Sequence, residues 1–371
     1  MQIAARSIIR FFVLLLLLAI FLIGGGIALY TQSRSPAAAR AAEAATFYVS
    51  PVGVDDPASG SSEAAPFKTL QYALDRVPCG STVRLAAGIY TEDIDVNRVD
   101  CLSSPTPLLV SGPPEAILVG AGDTYIVEVL TGNIEFNGFT MDGEYTPADY
   151  RKKLVYVNAE GVNRLSLIGL TLRNAREECV RLRLNAVHNV IANNRFERCG
   201  REGGGSTGDN REAIYIGTTA TQLENDQSAY NWVTGNTFNE GIPDGTGSEC
   251  VDIKGSAHHN VVENNRCFFQ SSDPESGGIN VEGAENLIIN NLVEGNAGSG
   301  IRLGLGEATT PRQNRVIGNT LRNNRAFGIN LVYEPTADEV AFIRGNCLQD
   351  NFEGNVNRRV LDSAGGGLCA P

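Results

Sequence analysis

Apolar and polar residues alternate in short runs along most of the chain: CVRLR (179–183), AIYIG (213–217), CVDIK (250–254), GINVE (278–282), GIRLG (300–304) and GINLV (328–332). Alternation over four or five residues is the mark of a strand with one face buried. The first five runs each precede a segment built around asparagine: NVIANNRF (189–196), NWVTGNTF (231–238), NVVENNRC (260–267), NLIINNLV (286–293) and NRVIGNTL (314–321), which align without gaps. The last three segments follow one another at 26 and 28 residues, whereas a Gly-rich insertion at 201–210 lengthens the interval between Asn194 and Asn236. A unit of that size holds two or three strands and tight turns but no helix pair, so this is a repeat architecture. Stacked coils would bury the alternating apolar positions in a shared interior, which predicts an all-β, right-handed parallel β-helix. A leucine-rich solenoid is excluded by the missing leucine spacing and helical half. Asparagine at a fixed place in each coil suits a turn, because it tolerates positive φ and can bond to its stacked neighbours.

The alternation also assigns faces. Val180, Ile214, Val251, Ile279, Ile301 and Ile329 should point inward, as should Leu182, Ile216, Ile253, Val281, Leu303 and Leu331. One outward column then reads Tyr156, Arg181, Tyr215, Asp252, Asn280, Arg302, Asn330, with Glu128 before it. A second reads Arg183, Gly217, Lys254, Glu282, Gly304, Val332. Charges in such columns serve either a solvated sheet face, paired across strands, or chemistry. Lys254 and Arg302 are spaced to flank a sugar ring, and Tyr156, Tyr215 and Trp232 are candidate stacking platforms.

The N-terminus departs from this pattern. Phe11 to Tyr30 is an uncharged apolar run preceded by Arg6 and Arg10. Such a run is about long enough to cross a bilayer, and the arginines favour a cytoplasmic N-terminus. The small residues of SPAAARAAEAA leave open a cleaved signal peptide. Both readings export the rest to the cell surface or beyond. Residues 1–30 are therefore expected to be a transmembrane anchor or signal, 31–45 a linker, and 46–371 the β-helix domain, a monomer.

The chain of 371 residues carries a formal charge of −12, and its lysines are Lys68, Lys152, Lys153 and Lys254. An acidic protein without a basic stripe is not a nucleic-acid binder. An acidic polysaccharide would need locally placed cations. Eight cysteines in an exported chain are expected to form disulfides, with Cys79–Cys101 and Cys347–Cys369 as local pairs. Their spacing does not suggest zinc, and His188, His258 and His259 read as solvated turn residues.

The opening of the domain, FYVSPVGVDDPASGSSEAAPFKTLQYALDRVPCGSTVRLAAGIYTE (47–92), resembles that of pectate-lyase-like β-helix proteins. The resemblance implies a first strand, an N-terminal capping helix around Phe67 to Val77, and a first coil at VRLAAGIY. Two lyase families resemble the ladder. NREAIYIGTT (210–219) with SECVDIKGS (248–256) is similar to the alginate lyase and chondroitinase B family. There a glutamate five residues before a lysine helps hold Ca²⁺ and the lysine is the base, which implies those roles for Glu249 and Lys254. The sequence departs from that family at Glu282, where an arginine is expected, and at Gly247, where a second glutamate is expected. AGSGIRLG (297–304) resembles the catalytic strand of family 9 pectate lyases, which puts Arg302 at the catalytic position and Glu249 at a Ca²⁺-binding aspartate. The nearest candidates for that family's further aspartates are Asp273, Glu275 and Asn280.

The chemistry so implied is β-elimination on a uronate. A base removes the C5 proton while a cation neutralises the neighbouring carboxylate. Ca²⁺ takes several oxygen ligands, and Glu249, Asp252, Glu212 and Asp209 could supply them. Lys254 would be available as base if Arg302, Arg181 or a bound Ca²⁺ lowered its pKa. Arg302 suits a substrate clamp better, with Arg181, Tyr215, Asn280 and Glu282 as further substrate contacts. The alternatives are a non-catalytic carbohydrate-binding or adhesive surface protein and a glycoside hydrolase. A hydrolase would use Asp252 and Glu282, one coil apart, as its carboxylate pair.

Overall fold

The structure, a computed structural model, describes residues 45–122, 124–146, 149–150, 152–201, 211–219, 226–242, 247–270, 276–304 and 312–357. Among them, three parallel sheets wrap one continuous core as a right-handed β-solenoid. An eleven-stranded sheet runs from Thr46–Val49 to Ile343–Arg344. One ten-stranded sheet runs from Ile94–Val96 to Gly354–Val356, and another from Gly88–Tyr90 to Cys347–Gln349. Antiparallel pairing among the described residues occurs in a small hairpin, Glu144–Thr146 with Asp149–Tyr150, and in an isolated bridge between Ser62 and Ala65.

Both inward columns hold. Val180, Ile214, Val251, Ile279, Ile301 and Ile329 are paired in register, one per coil, and are buried together with the column from Leu182 to Leu331. Burying each such side chain contributes about 1.5–3 kcal/mol relative to exposure. In the neighbouring sheet the rings of Phe196 and Phe238 stack with centroids 4.7 Å apart.

Two consecutive positions, rather than one, carry out the turn. The first takes the left-handed conformation: Asn193, Gly235, Asn264, Asn290, Gly318 and Gly345, with φ of 54–66°. The second is a buried asparagine whose amide bonds to its counterpart in the next coil: Asn194, Asn236, Asn265, Asn291, Asn319 and Asn346, at 2.9–3.0 Å. Each Oδ1 from Asn236 onward also accepts the backbone N–H of the preceding ladder residue. Each Nδ2 gives its second proton to a strand carbonyl. The amides are thereby satisfied although buried. The expectation that one asparagine both turns the chain and bonds its neighbour is corrected on this point, and the recurring NN and GN pairs are explained.

A helix of five residues, Leu70–Leu74, stands inside the stretch expected to be helical and is shorter than it. Thr69 Oγ1 accepts from Tyr72 N, and the Glu92 carboxylate accepts from Leu70 N and Gln71 N. Leu70, Ala73 and Leu74 are buried. Cys79–Cys101 forms as expected, alongside Cys179–Cys199 and Cys250–Cys267. Cys347 is also disulfide-bonded, while Cys369 lies outside the described residues. So does the apolar segment 11–30, and no helix among the described residues is long and apolar enough to cross a membrane.

Candidate active site

The first outward column is carried by one ten-stranded sheet, and the second stands on the residue that follows each of the same strands. Backbone register sets Tyr156, Arg181, Tyr215, Asp252, Asn280, Arg302 and Asn330 side by side in successive coils. Glu128 and Asp95 precede Tyr156 in the same register. Although these side chains point away from the solenoid core, the middle of the column is closed off from solvent. Arg181, Tyr215, Asp252 and Asn280 are 4, 1, 1 and 2 % exposed. A solvated sheet face is thus not what these charges serve.

Lys254 sits at the centre. Its Nζ lies 2.6 Å from Asp252 Oδ2 and 3.0 Å from Glu282 Oε1, with the Tyr215 ring centroid 5.0 Å away. Asn280 Nδ2 donates to Asp252 Oδ1 at 3.0 Å, and Arg302 Nη1 donates to Asn280 Oδ1 at 3.3 Å. Arg302, Asn280, Asp252, Lys254 and Glu282 therefore form one connected chain of contacts. Glu282, which stands where the lyase resemblance expects an arginine, is an ion-pair partner of Lys254.

The electrostatics reverse one expectation. Burial alone would lower the Lys254 pKa, but the Asp252 and Glu282 carboxylates more than offset it and hold the ammonium well above its ordinary value. The charges that govern it are those of Asp252 and Glu282, ahead of Tyr215 and Glu212, rather than those of Arg302 and Arg181. Glu282 is raised, first by burial and then by Asp252, with Lys254 and Arg302 pulling the other way. Tyr215 is raised far above its usual range, chiefly by burial. Its ring lies between the Arg181 guanidinium, at 4.3 Å, and Lys254.

A second buried group adjoins this chain. Glu212, Glu249 and Asp252 are 7, 6 and 1 % exposed, and each offers a carboxylate oxygen within 4.8 Å of the others'. Glu212 Oε2 is buried with no hydrogen-bond partner among the described residues. Burial, then the Asp252 and Glu178 charges, push the Glu212 pKa up to about 8 against the pull of Lys254. Such a cluster of hard oxygen donors, with a lone pair directed at no proton, fits a divalent cation of the Ca²⁺ type. Asp209, Asp273 and Glu275 lie outside the described residues.

Local sequence explains how these carboxylates come together. Glu178, Glu212 and Glu249 each precede an alternating strand at the same offset, in ECVRL, EAIYI and ECVDI. Cys179 and Cys250, the next residues after two of them, are anchored by disulfides. Glu178 is the residue that sequence reasoning missed. It is fully buried, and its carboxylate lies 2.8 Å from Arg181 Nη1 and 3.2 Å from Lys153 Nζ. Aligning the three strand starts would have found it. Gly247 is accounted for by its backbone: with φ of 98°, a Cβ there would lie 2.7 Å from Arg211 O and 2.8 Å from Cys199 O. A glutamate at this position would be strained and crowded.

The aromatic candidates separate. Tyr156 stacks on Tyr125 at 6.0 Å and accepts a hydrogen bond from Arg183. Trp232 belongs to the eleven-stranded sheet, away from the ladder, and donates to Glu263 Oε1 at 3.0 Å.

Coil architecture and register define this chain as a right-handed parallel β-solenoid that carries a buried ionic ladder on one sheet. A family model described as protein of unknown function (DUF1565) matches residues 52–270, more than half of the sequence, and the chain belongs to that family. No curated protein sequence matches it. Among solved structures, an alginate lyase from Paenibacillus sp. str. FPU-7 is similar with a TM-score of 0.60 and 19% identity, over 80% of this chain and 95% of that one. A polygalacturonase from Erwinia carotovora ssp. carotovora is similar with a TM-score of 0.51 and 11% identity, over 91% of this chain and 98% of that one. At these identities the likeness is one of fold.

Proposed function

We propose that this protein is exported and acts on an acidic polysaccharide, as a Ca²⁺-assisted lyase that cleaves a uronate-containing chain by β-elimination. The observation that carries this reading is the buried carboxylate group Glu212, Glu249 and Asp252, contiguous with Lys254 and Arg302 on one sheet. Residues of this kind are what elimination beside a carboxylate requires: oxygen donors for a cation, and basic side chains for the substrate's acid and proton. When bound by these three carboxylates, Ca²⁺ would supply positive charge to offset that developing on the uronate. Arg302, less buried than its neighbours and tethered to Asn280, clamps the substrate carboxylate. Lys254 removes the C5 proton after its ammonium has passed its own proton to the Glu282 carboxylate, 3.0 Å away; until that transfer the ammonium is held in its resting, protonated state. The disulfides described above support export, and the apolar segment 11–30 supports a membrane anchor.

A second reading has its own observation. Lys254 is held protonated and the Glu282 carboxyl is raised, which suits a hydrolase with Glu282 as acid and Asp252 as its partner carboxylate. One experiment separates the two. The full chain is incubated with pectate, alginate and glycosaminoglycans, with Ca²⁺ or with chelator, and followed by ultraviolet absorbance and by reducing ends. Absorbance that rises with Ca²⁺, is abolished by chelator and is lost in a folded Lys254→Ala variant supports the lyase. Reducing ends without absorbance would transfer the assignment to hydrolysis. Silence in both, from folded protein, would leave a binding role.

A further inference from the structure

The chain has three histidines, and the fold brings all of them to one corner, where each coil enters the eleven-stranded sheet. Bridges Val187↔Ala229 and Ala229↔His258 stack the turns in register. The residue after each bridge takes the left-handed conformation: His188, Tyr230 and His259 have φ of 56, 57 and 54°. Glu285 (φ 59°) continues the series in the next coil. For residues other than glycine this backbone is uncommon, and here it has a consequence. Neighbouring side chains on a strand point to opposite faces, but the left-handed turn at His259 swings its ring back toward that of His258. The two Nδ1 atoms face each other at 2.7 Å, with the rings at 80°. His259 Nδ1 is also 3.2 Å from Glu285 Oε2.

We propose that His258, His259 and Glu285 form a binding site for a borderline divalent transition metal such as Zn²⁺, distinct from the acidic group on the ladder. Two imidazole nitrogens and one carboxylate oxygen, all within 4.8 Å of one another, match the donor set of a three-ligand zinc site. Zinc bonds of 2.0–2.1 Å in tetrahedral geometry separate ligand atoms by about 3.3 Å. The two close separations here, 2.7 and 3.2 Å, need only a small opening to reach it. The His259 and Glu285 side chains are 40 and 44 % exposed, so the ion can enter from solvent. Tyr230 packs its ring at 5.2 Å from His188 and 5.0 Å from His259, which restrains the ligand ring. Nitrogen donors discriminate against Ca²⁺, which prefers oxygen.

The chain's composition makes the test decisive. There is no other histidine than His188, and no described cysteine is free. Zn²⁺ is titrated into the full chain by calorimetry, and into His259→Asn, which keeps a residue tolerant of positive φ, and Glu285→Gln. The expected result is one Zn²⁺ per chain, undisturbed by excess Ca²⁺ or by Glu212→Gln, and weakened at least about tenfold in either corner variant. Absence of saturable Zn²⁺ binding, equal binding by His259→Asn, or displacement by Ca²⁺ would each overturn the proposal.

Discussion

Glu212→Gln is the most informative single change, because its predicted sign is opposite to that of most buried substitutions. Glu212 is buried, and its pKa is pushed from 4.5 to about 8 by burial first and by Asp252 and Glu178 next. Below pH 4.5 the carboxyl is protonated in both folded and unfolded chains. Between 4.5 and 8 the unfolded chain releases the proton while the folded chain keeps it, so stability falls as pH rises. Above 8 both forms are ionised and the full penalty persists. At about 1.4 kcal/mol per pKa unit the penalty is at most roughly 5 kcal/mol. Entry of water and side-chain relaxation bring the expected gain on removing the charge down to about 1–3 kcal/mol. For a chain of this size that corresponds to a rise of about 1–4 °C in melting temperature. Without metal, Glu212→Gln should therefore melt higher than the parent at pH 8 and equally at pH 4. In the parent, Ca²⁺ should raise the melting temperature at pH 8 by binding the folded state alone, and the variant should lose most of that rise. Scanning calorimetry at both pH values, with Ca²⁺ or chelator, reads all four quantities. A variant less stable than the parent at pH 8, or one with an unchanged Ca²⁺ response, would refute the reasoning.

Two structural predictions test the scaffold that holds the site. Asn265→Ala removes the amide between Asn236 and Asn291 and leaves buried partners unsatisfied, so it should cost about 2–4 kcal/mol by urea unfolding; a loss below 0.5 kcal/mol, on the order of a surface change, would contradict the ladder. Replacing Cys250 and Cys267 by serine opens a loop with a sequence separation of 17 residues and should cost about 3 kcal/mol. It should also reduce polysaccharide turnover, since Glu249 is anchored by its neighbour Cys250; full activity in the double variant would show that the disulfide does not position the carboxylate.

What the sequence made legible was whatever repeats. Period-two alternation assigned both inward columns and the first outward column in their observed register, because a one-residue slip would expose every inward isoleucine and leucine. The asparagine repeats likewise announced the turns, although the division between a left-handed residue and a ladder residue emerged only from φ and hydrogen bonds. What the alternation did not carry was the environment beyond the sheet. It places Asp252 and Tyr215 outward but is silent on their being 1 % exposed, since that depends on packing outside the strand. The partners of Lys254 are hidden for the same reason: Arg181 and Arg302 share its face, yet Asp252 and Glu282 touch it. The histidine corner was hidden because a left-handed turn makes sequence neighbours converge, against the rule that strand neighbours diverge.

The asparagine ladder described above and the ionic ladder solve the same physical problem in opposite ways, and the contrast argues for where function lies. Along the asparagine ladder every buried amide donates and accepts within the stack, so polarity is carried inside the protein with no net charge and little electrostatic cost. Just before three strands of another sheet stand Glu178, Glu212 and Glu249 instead, with Asp252 inside the third strand and Glu282 one coil later. The cations touching this group do not satisfy all of it, as Glu212 Oε2 attests. Asparagine or threonine at those positions would keep the register and avoid the penalty, so coil stacking does not require the charge. A buried group that destabilises its own fold, anchored at two points by disulfides, is the arrangement expected of a site kept for binding or chemistry rather than for folding.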